Sequence, residues 1–233
     1  MPCTLPAVLA DAAVCRGSFH AVLRTDVPDT VFSAFSAALQ KAQADGSLLT
    51  ASLFRCESHL FFYAEGLNRP FTPQGLCPAL DAALLPWPPA LGETSPRPWA
   101  AMQPYFYHDI PTTAADWQQG RCPQRRRGRI ALLPPDKWCS YMEHHLRIVT
   151  EGLVEGDRWH LICVQEGVLF SYLEEPRTNV NIKHQPGAHS PELDAWIAAD
   201  PESHFARFTP EQKAHPDSSH NFVFLPRIAG TED

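Results

Sequence analysis

No run of about 18 apolar residues occurs anywhere in the chain, which argues against a membrane-spanning helix. No cysteine belongs to a CxxC pair, so the thiol spacing of a structural zinc site or a redox motif is missing. The seven cysteines are an odd, scattered set and read as reduced thiols of a cytoplasmic protein rather than a disulfide framework. There is no Gly-rich phosphate loop, no HExxH and no GxSxG, which removes nucleotide use through a P-loop or Rossmann turn, the zincin proteases and the serine hydrolases. Positive charge is also short: 19 Lys and Arg stand against 26 Asp and Glu, for a net charge of −7. That balance argues against a nucleic-acid partner. The start, Met1 to Cys15, has no basic n-region and contains Asp11, so no secretory leader is expected.

What is present is enough apolar material for a core: 44% of 233 residues, a length that admits one large domain or two of about 100 residues. The chain repeats itself. At a shift of 109 positions, Ser58–Glu65 (SHLFFYAE) falls on Gly167–Glu174 (GVLFSYLE), matching Leu60, Phe61, Tyr63 and Glu65 to Leu169, Phe170, Tyr172 and Glu174. The same shift lays His20–Leu23 over Arg129–Leu132. Pro78–Asp81 resembles Pro191–Asp194, and Tyr105–Pro111 resembles Asn221–Pro226 at a slightly larger offset. Fixed-period self-similarity marks repeated structural units. The expected organisation is a module over 18–112, a linker over 113–127 and a second module over 128–227. Arg121, Arg125, Arg126, Arg127 and Arg129, set among Gly120, Pro123 and Gly128, read as a solvated stretch at the junction.

Each copy predicts the same elements. A strand (Phe19–Leu23; Arg129–Leu133) leads into a helix after Asp29 or Asp136, residues able to cap free backbone N–H groups. Two apolar runs follow across Glu57-Ser58 and Glu166-Gly167, a hairpin pattern. A second helix starts at Pro78 or Pro191, where proline suits the first turn. A last strand closes each copy at Tyr105–His108 and Phe222–Leu225. The order β-α-β-β-α-β is the ferredoxin-like, split βαβ pattern. A four-stranded sheet with both helices on one face leaves the other face bare. The expected fold is therefore α+β: two tandem ferredoxin-like modules packed sheet to sheet as an intramolecular α+β barrel, favoured over pairing between chains by the high effective concentration of a linked partner. Within 68–103, eight prolines predict a short helix and a surface-wrapping remainder, with the first copy's pocket degenerate.

The first helix of the second copy carries the candidate site. Its predicted apolar stripe is Trp138, Tyr141, Met142, Leu146, Val149 and Leu153. His145 falls four residues after Tyr141, so a phenol and an imidazole share one face and can form an acid–base pair. A hydrogen-bonded core histidine satisfies the same pattern. The first copy has Phe32 and Ser36 at the matching positions, and that difference favours one working pocket and one degenerate pocket. Asymmetric packing would produce it too.

The spacing Tyr141-x3-His145, followed by the hairpin ending in Leu169-Phe170-Ser171-Tyr172-Leu173-Glu174, resembles the L-rhamnose mutarotase family. Trp196–Asp200 through His204–Phe208 is similar to that family's Trp-bearing segment, although the family's adjacent tryptophans are absent and the helix exit is shorter. The resemblance spans about 100 residues of the second copy. It implies a dimeric α+β barrel fold and anomer interconversion of an aldose, with no metal or organic cofactor. His145 would move the proton, Tyr141 would orient it or bind a hydroxyl, and Phe205 and Trp196 would form an apolar platform. The alternatives are a non-catalytic ligand- or protein-binding barrel, and a cofactor-free monooxygenase or isomerase of the same barrel class, since one fold hosts many chemistries.

Eleven histidines raise the question of a metal. His184-x4-His189 and His215-x4-His220 lie in Pro/Gly/Ser-rich stretches, so they read as loop histidines and no metal site is expected. His160, on a predicted strand, is added to the substrate-binding set. The expected partner is a small molecule, a monosaccharide on the family resemblance. Neither nucleic acid nor membrane is expected, and the chain would act as a monomer with a pseudo-dimeric barrel or as a homodimer.

Overall fold

The structure is a computed structural model that describes residues 9–152, 154–177, 183–184, 189–211 and 218–231. Met1, Leu153 and His215, named above, lie outside the described residues. In chain order the first elements are strand β1 (Val14–Val22), helix α1 (Asp29–Ala44), strands β2 (Leu48–Cys56) and β3 (His59–Leu67), helix α2 (Pro78–Ala82), strand β4 (Ala100–Tyr107) and helix α3 (Ala114–Gln118). Strand β5 (Arg125–Leu132), helix α4 (Pro135–Glu151), strands β6 (Val154–Glu155), β7 (Leu161–Gln165), β8 (Val168–Glu175) and β9 (Lys183–His184) come next. Helix α5 (Pro191–Ala198), a 3-10 turn (Pro201–His204), and strands β10 (Val223–Leu225) and β11 (Arg227–Gly230) complete the order. No described helix is long and apolar enough to cross a membrane.

The chain forms two compact units, one of residues 1–102, 111–124 and 226–233, the other of residues 103–110 and 125–225. The first unit carries the sheet β4-β1-β3-β2-β11, with 100–102 of β4 pairing β1. The second carries β10-β5-β8-β7 with 103–107 of β4 on β7. All these pairings are antiparallel. Without its fifth, edge strand, each sheet has the spatial order of a split βαβ module, with one long and one short helix inserted in sequence as expected. The fold is α+β.

The two hairpins form because Glu57 (φ 52°) and Glu166 (φ 53°) accept left-handed backbone at the first turn position, the conformation that matches the twist of the flanking strands. Proline opens α2 and α5, as predicted. In α5 the Ser190 side chain accepts the Leu193 N–H at 3.0 Å, a side-chain cap.

Several expectations need correction. Asp29 and Asp136 are not caps. Each lies inside its helix's first turn behind Pro28 or Pro134, with no side-chain cap hydrogen bond, and contributes only through the helix dipole. The closing strands do not align as Tyr105–His108 with Phe222–Leu225. By pairing, β10 takes in its unit the place that 100–102 of β4 takes in the other, while 103–107 and β11 are the added edge strands. The offset between β1 and β5 is also 110 rather than 109. Phe19 lies opposite Phe62 and Arg16 opposite Glu65, whereas Arg129 lies opposite Ser171 and Arg126 opposite Glu174.

Apart from Arg125, which is exposed, the arginine stretch is not solvated. Its second half is the start of β5, and its side chains close two buried acid clusters. In the first unit Arg121 donates to Glu65 at 2.7 and 3.0 Å, and the Tyr63 hydroxyl donates to the same carboxylate at 2.5 Å. Burial alone would push the Glu65 carboxyl up, but the Arg121 charge and hydrogen bonds outweigh it and hold it below the usual range. In the second unit Tyr172 donates to Glu174 at 2.6 Å, and Arg126 lies 3.6 Å from it. Arg127 pairs with Glu175 at 2.8 Å while covering the Phe224 ring. The repeated Tyr-x-Glu on β3 and β8 is therefore a buried polar anchor whose charge is met by arginine.

The two helix–sheet cores differ in filling. In the first unit Phe62 packs edge-on against Phe35 with ring centroids 5.7 Å apart, and Trp99 lies 6.1 Å from Phe62. The proline-rich 68–103 is not only a surface wrap: Leu80, Leu84 and Trp99 are buried in that core, and the Trp99 indole donates to Asp81 at 3.0 Å.

Candidate functional site

In the second unit the space between sheet and helices is not filled. A cavity of about 390 Å3 opens there, within the range of small-molecule sites. The cause is visible in the register. Where the first unit places Phe19 opposite Phe62, ring centroids 6.3 Å apart, the second places Arg129 opposite Ser171, and both line the cavity. One aromatic pair has become a small hydroxyl and a cation.

Helix α4 presents Tyr141, His145 and Ile148 inward, positions that share one face at 3.6 residues per turn. This rotates the predicted stripe: Trp138 and Leu146 are 39% and 61% exposed, while His145 lies on the buried face with Tyr141, as expected. Four aromatic rings surround the imidazole, Tyr141 at 4.2 Å, Phe106 and Trp196 at 4.8 Å and Tyr105 at 5.7 Å between centroids. Its Nδ1 lies 2.9 Å from the Tyr141 carbonyl oxygen. A carbonyl only accepts, so Nδ1 carries the proton and Nε2 keeps its lone pair. The Tyr141 backbone, not its phenol, makes the contact that orients the imidazole.

Burial pushes His145 down to about 4, against the raising effect of the Tyr141 carbonyl and with help from His144, His204 and His108. The imidazole is therefore neutral at pH 7. Burial also pushes the Tyr141 phenol up to about 12 and Tyr105 well above its ordinary value, so both remain protonated.

The structure brings all five sequence-predicted residues, Tyr141, His145, His160, Trp196 and Phe205, onto this one cavity. Trp196 meets Tyr141 edge-on at 5.3 Å, and Phe205 meets Tyr141 at 5.2 Å. His160 is buried just before β7, its backbone N–H bonded to the Asp157 carbonyl at 3.0 Å. The matched residues of the other copy, Phe32 and Ser36, line a separate space of about 420 Å3 that contains no imidazole and no phenol. Phe32 is core, and the Ser36 hydroxyl accepts the Gly230 N–H at 3.3 Å.

Sequence reasoning missed Arg129, Ser171, Phe106, His108, Asp157 and Glu202, which also line the cavity. Ser171 was readable, since the repeat replaces Phe62 with serine. Arg129 was hidden by the linker reading. His108 lies directly on Gly156: a Cβ there would fall 1.9 Å from its ring atoms, so only glycine admits the imidazole. Asp157 beside it is buried and pairs with Arg177 at 3.4 Å. Burial pushes His108 below its ordinary value, against the opposing pull of Asp157. Among the described residues no group of three or more His, Cys, Asp or Glu is placed to hold a metal ion.

Chemically, the cavity offers a neutral, oriented imidazole with a free lone pair, the protonated Tyr141 phenol in its wall, and aromatic and aliphatic surface beside the charged groups of Arg129, Arg177, Asp157 and Glu202. It suits a flat, apolar ligand with a removable proton.

No protein-family model and no curated protein matches the chain. Among solved structures, it is similar to a candidate monooxygenase from Fusobacterium nucleatum subsp. nucleatum, at 10% identity over 94% of both chains with a TM-score of 0.44. It is also similar to one from Lactobacillus acidophilus, at 7% identity over 94% of this chain and 96% of that one, TM-score 0.39. An anthrone oxidase-like protein aligns at 8% identity over 92% of both chains, TM-score 0.36. None of the three is described as a mutarotase. Likenesses of this degree leave the function to be argued from the site.

Proposed function

We propose that the second unit is a cofactor-independent general-base site of the monooxygenase type, acting on a planar, largely apolar substrate with an acidic ring C–H. The observation that carries this reading is the buried His145 imidazole, held through Nδ1 by the Tyr141 carbonyl and caged by aromatic rings, an arrangement that favours the neutral ring with its lone pair on Nε2. A base in such a site works when its proton acceptance is coupled to a delocalised anion formed beside it. His145 takes the proton from carbon, and the bond pair remains on the ring system as a resonance-stabilised carbanion. Dioxygen, the co-reactant, takes electrons from that carbanion. One oxygen atom ends in a new C=O, and the other leaves as water with the two hydrogens of the original CH2. The buried Tyr141 phenol supplies a hydrogen-bond donor and no charge.

Polar groups such as Asp157, Ser171 and Arg177 also line the cavity. The rings around His145 itself, however, are those of Phe106, Tyr141 and Trp196, which suit stacking on a planar substrate. That is why the monooxygenase reading is preferred over anomer interconversion. The test is oxygen uptake and solvent-deuterium exchange with anthrone, run beside an anomer-exchange NMR assay with L-rhamnose, on protein stripped of metals and flavins. His145→Gln should lower uptake and exchange at least about 100-fold. Acceleration of anomer exchange without oxygen uptake would replace this reading with the mutarotase one. Activity indifferent to His145→Gln would refute it.

A further inference from the structure

Arg129 is the cavity residue that the base reading leaves unused. Its guanidinium carbon sits 4.4 Å from the Phe222 ring centroid, its Nε is buried without a hydrogen-bond partner, and among the described residues it makes no ion pair. The other cation of the cavity, Arg177, is matched by Asp157. Glu202 also lines the cavity and its charge acts on Arg129 through space, but its carboxylate accepts from the Asn221 amide and makes no hydrogen bond or ion pair with the guanidinium. Burial lowers Arg129 to about 10, which leaves it charged at neutral pH. A buried guanidinium whose donors meet no carboxylate directly is costly, and a planar fork with unused donors matches a carboxylate.

We infer that the second unit's cavity selects ligands bearing a carboxylate on an aromatic ring system, with Arg129 as the anion anchor and specificity-determining residue. This deepens, and rests on, the proposed aromatic substrate site. The carboxylate docks on Arg129, the ring lies among Phe106, Trp196 and Phe205, and the reacting carbon is presented to His145. The position opposite Ser171 belongs to phenylalanine in the other unit, so the cation stands where the repeat otherwise puts hydrocarbon.

The experiment is titration calorimetry of the full chain with 2-naphthoate and with its neutral isostere 2-naphthamide. The expected result is at least about tenfold tighter binding of naphthoate, since charge-assisted pairs are the strong ones. Arg129→Met should abolish the difference by weakening naphthoate alone, and Arg129→Lys should restore part of it. Equal affinities on the unmodified protein, or discrimination that survives Arg129→Met, would overturn the inference. If Arg129→Met fails to fold, the comparison on the unmodified protein still decides. Equal affinities alongside His145-dependent oxygen uptake would sink the anion anchor and leave the base standing. Naphthoate discrimination without proton exchange would support the anchor and sink the base.

Discussion

Converting the open core into the filled one tests the origin of the cavity. In Ser171→Phe the new ring occupies the place that Phe62 holds in the first unit, where it is fully buried. Burying a phenylalanine side chain contributes about 1.5–3 kcal/mol. Crowding into a packed core costs about 1–3 kcal/mol, but a cavity of about 390 Å3 leaves room, so the favourable term wins. The remaining cost is further desolvation of Arg129 opposite. The double variant Arg129→Phe with Ser171→Phe removes that cost and recreates the Phe19–Phe62 pair. We expect the single variant to be within about 1 kcal/mol of the parent and the double variant more stable by about 1–2 kcal/mol, or several degrees in Tm for a chain of this size. Both should lose naphthoate binding. Thermal unfolding and calorimetry measure the two readouts. Binding that persists in a folded Ser171→Phe protein, or a loss of more than about 3 kcal/mol showing that no space exists, would refute the reasoning.

Other consequences are direct. Arg121→Met leaves the Glu65 carboxylate buried without its cation and should cost about 3–5 kcal/mol by denaturant unfolding; a near-neutral result would show that the pair is not what holds the first unit's network. Gly156→Ala brings a Cβ into the His108 ring and should destabilise by about 1–3 kcal/mol while altering ligand affinity; unchanged values for both would place His108 elsewhere. Stability should also fall with acid. The folded-state pKa of His145 lies below its unfolded value of about 6.5, so the unfolded chain binds the extra proton between roughly pH 6.5 and 4, and up to about 3 kcal/mol is lost across that window as pH falls. His145→Gln should flatten this part of the profile.

The module pattern was legible because hairpin turns, proline starts and apolar runs are local signals, and all recur in both copies. Tyr141 and His145 were legible because a four-residue spacing is a helical neighbour relation whatever the tertiary context. What was not legible depended on register. The sequence shift of 109 holds for the hairpins but slips to 110 on β1 and β5, and only cross-strand pairing shows that Arg129 answers Phe19 and Arg126 answers Arg16. The arginines looked like a linker because charge and Gly/Pro flanks are surface signals, while their buried partners Glu65 and Glu174 lie 48 to 56 residues away in sequence. His108, Asp157 and Glu202 come from loops and turns whose convergence no periodicity encodes.

The account turns on the protonation state of one imidazole, and histidine-selective 15N NMR across pH 3–8 reads it directly. The account predicts that His145 shows the Nδ1–H tautomer with an unprotonated Nε2, stays neutral at pH 7 and titrates near 4. A His145 resonance that titrates near 6.5, or that carries its proton on Nε2, would contradict it.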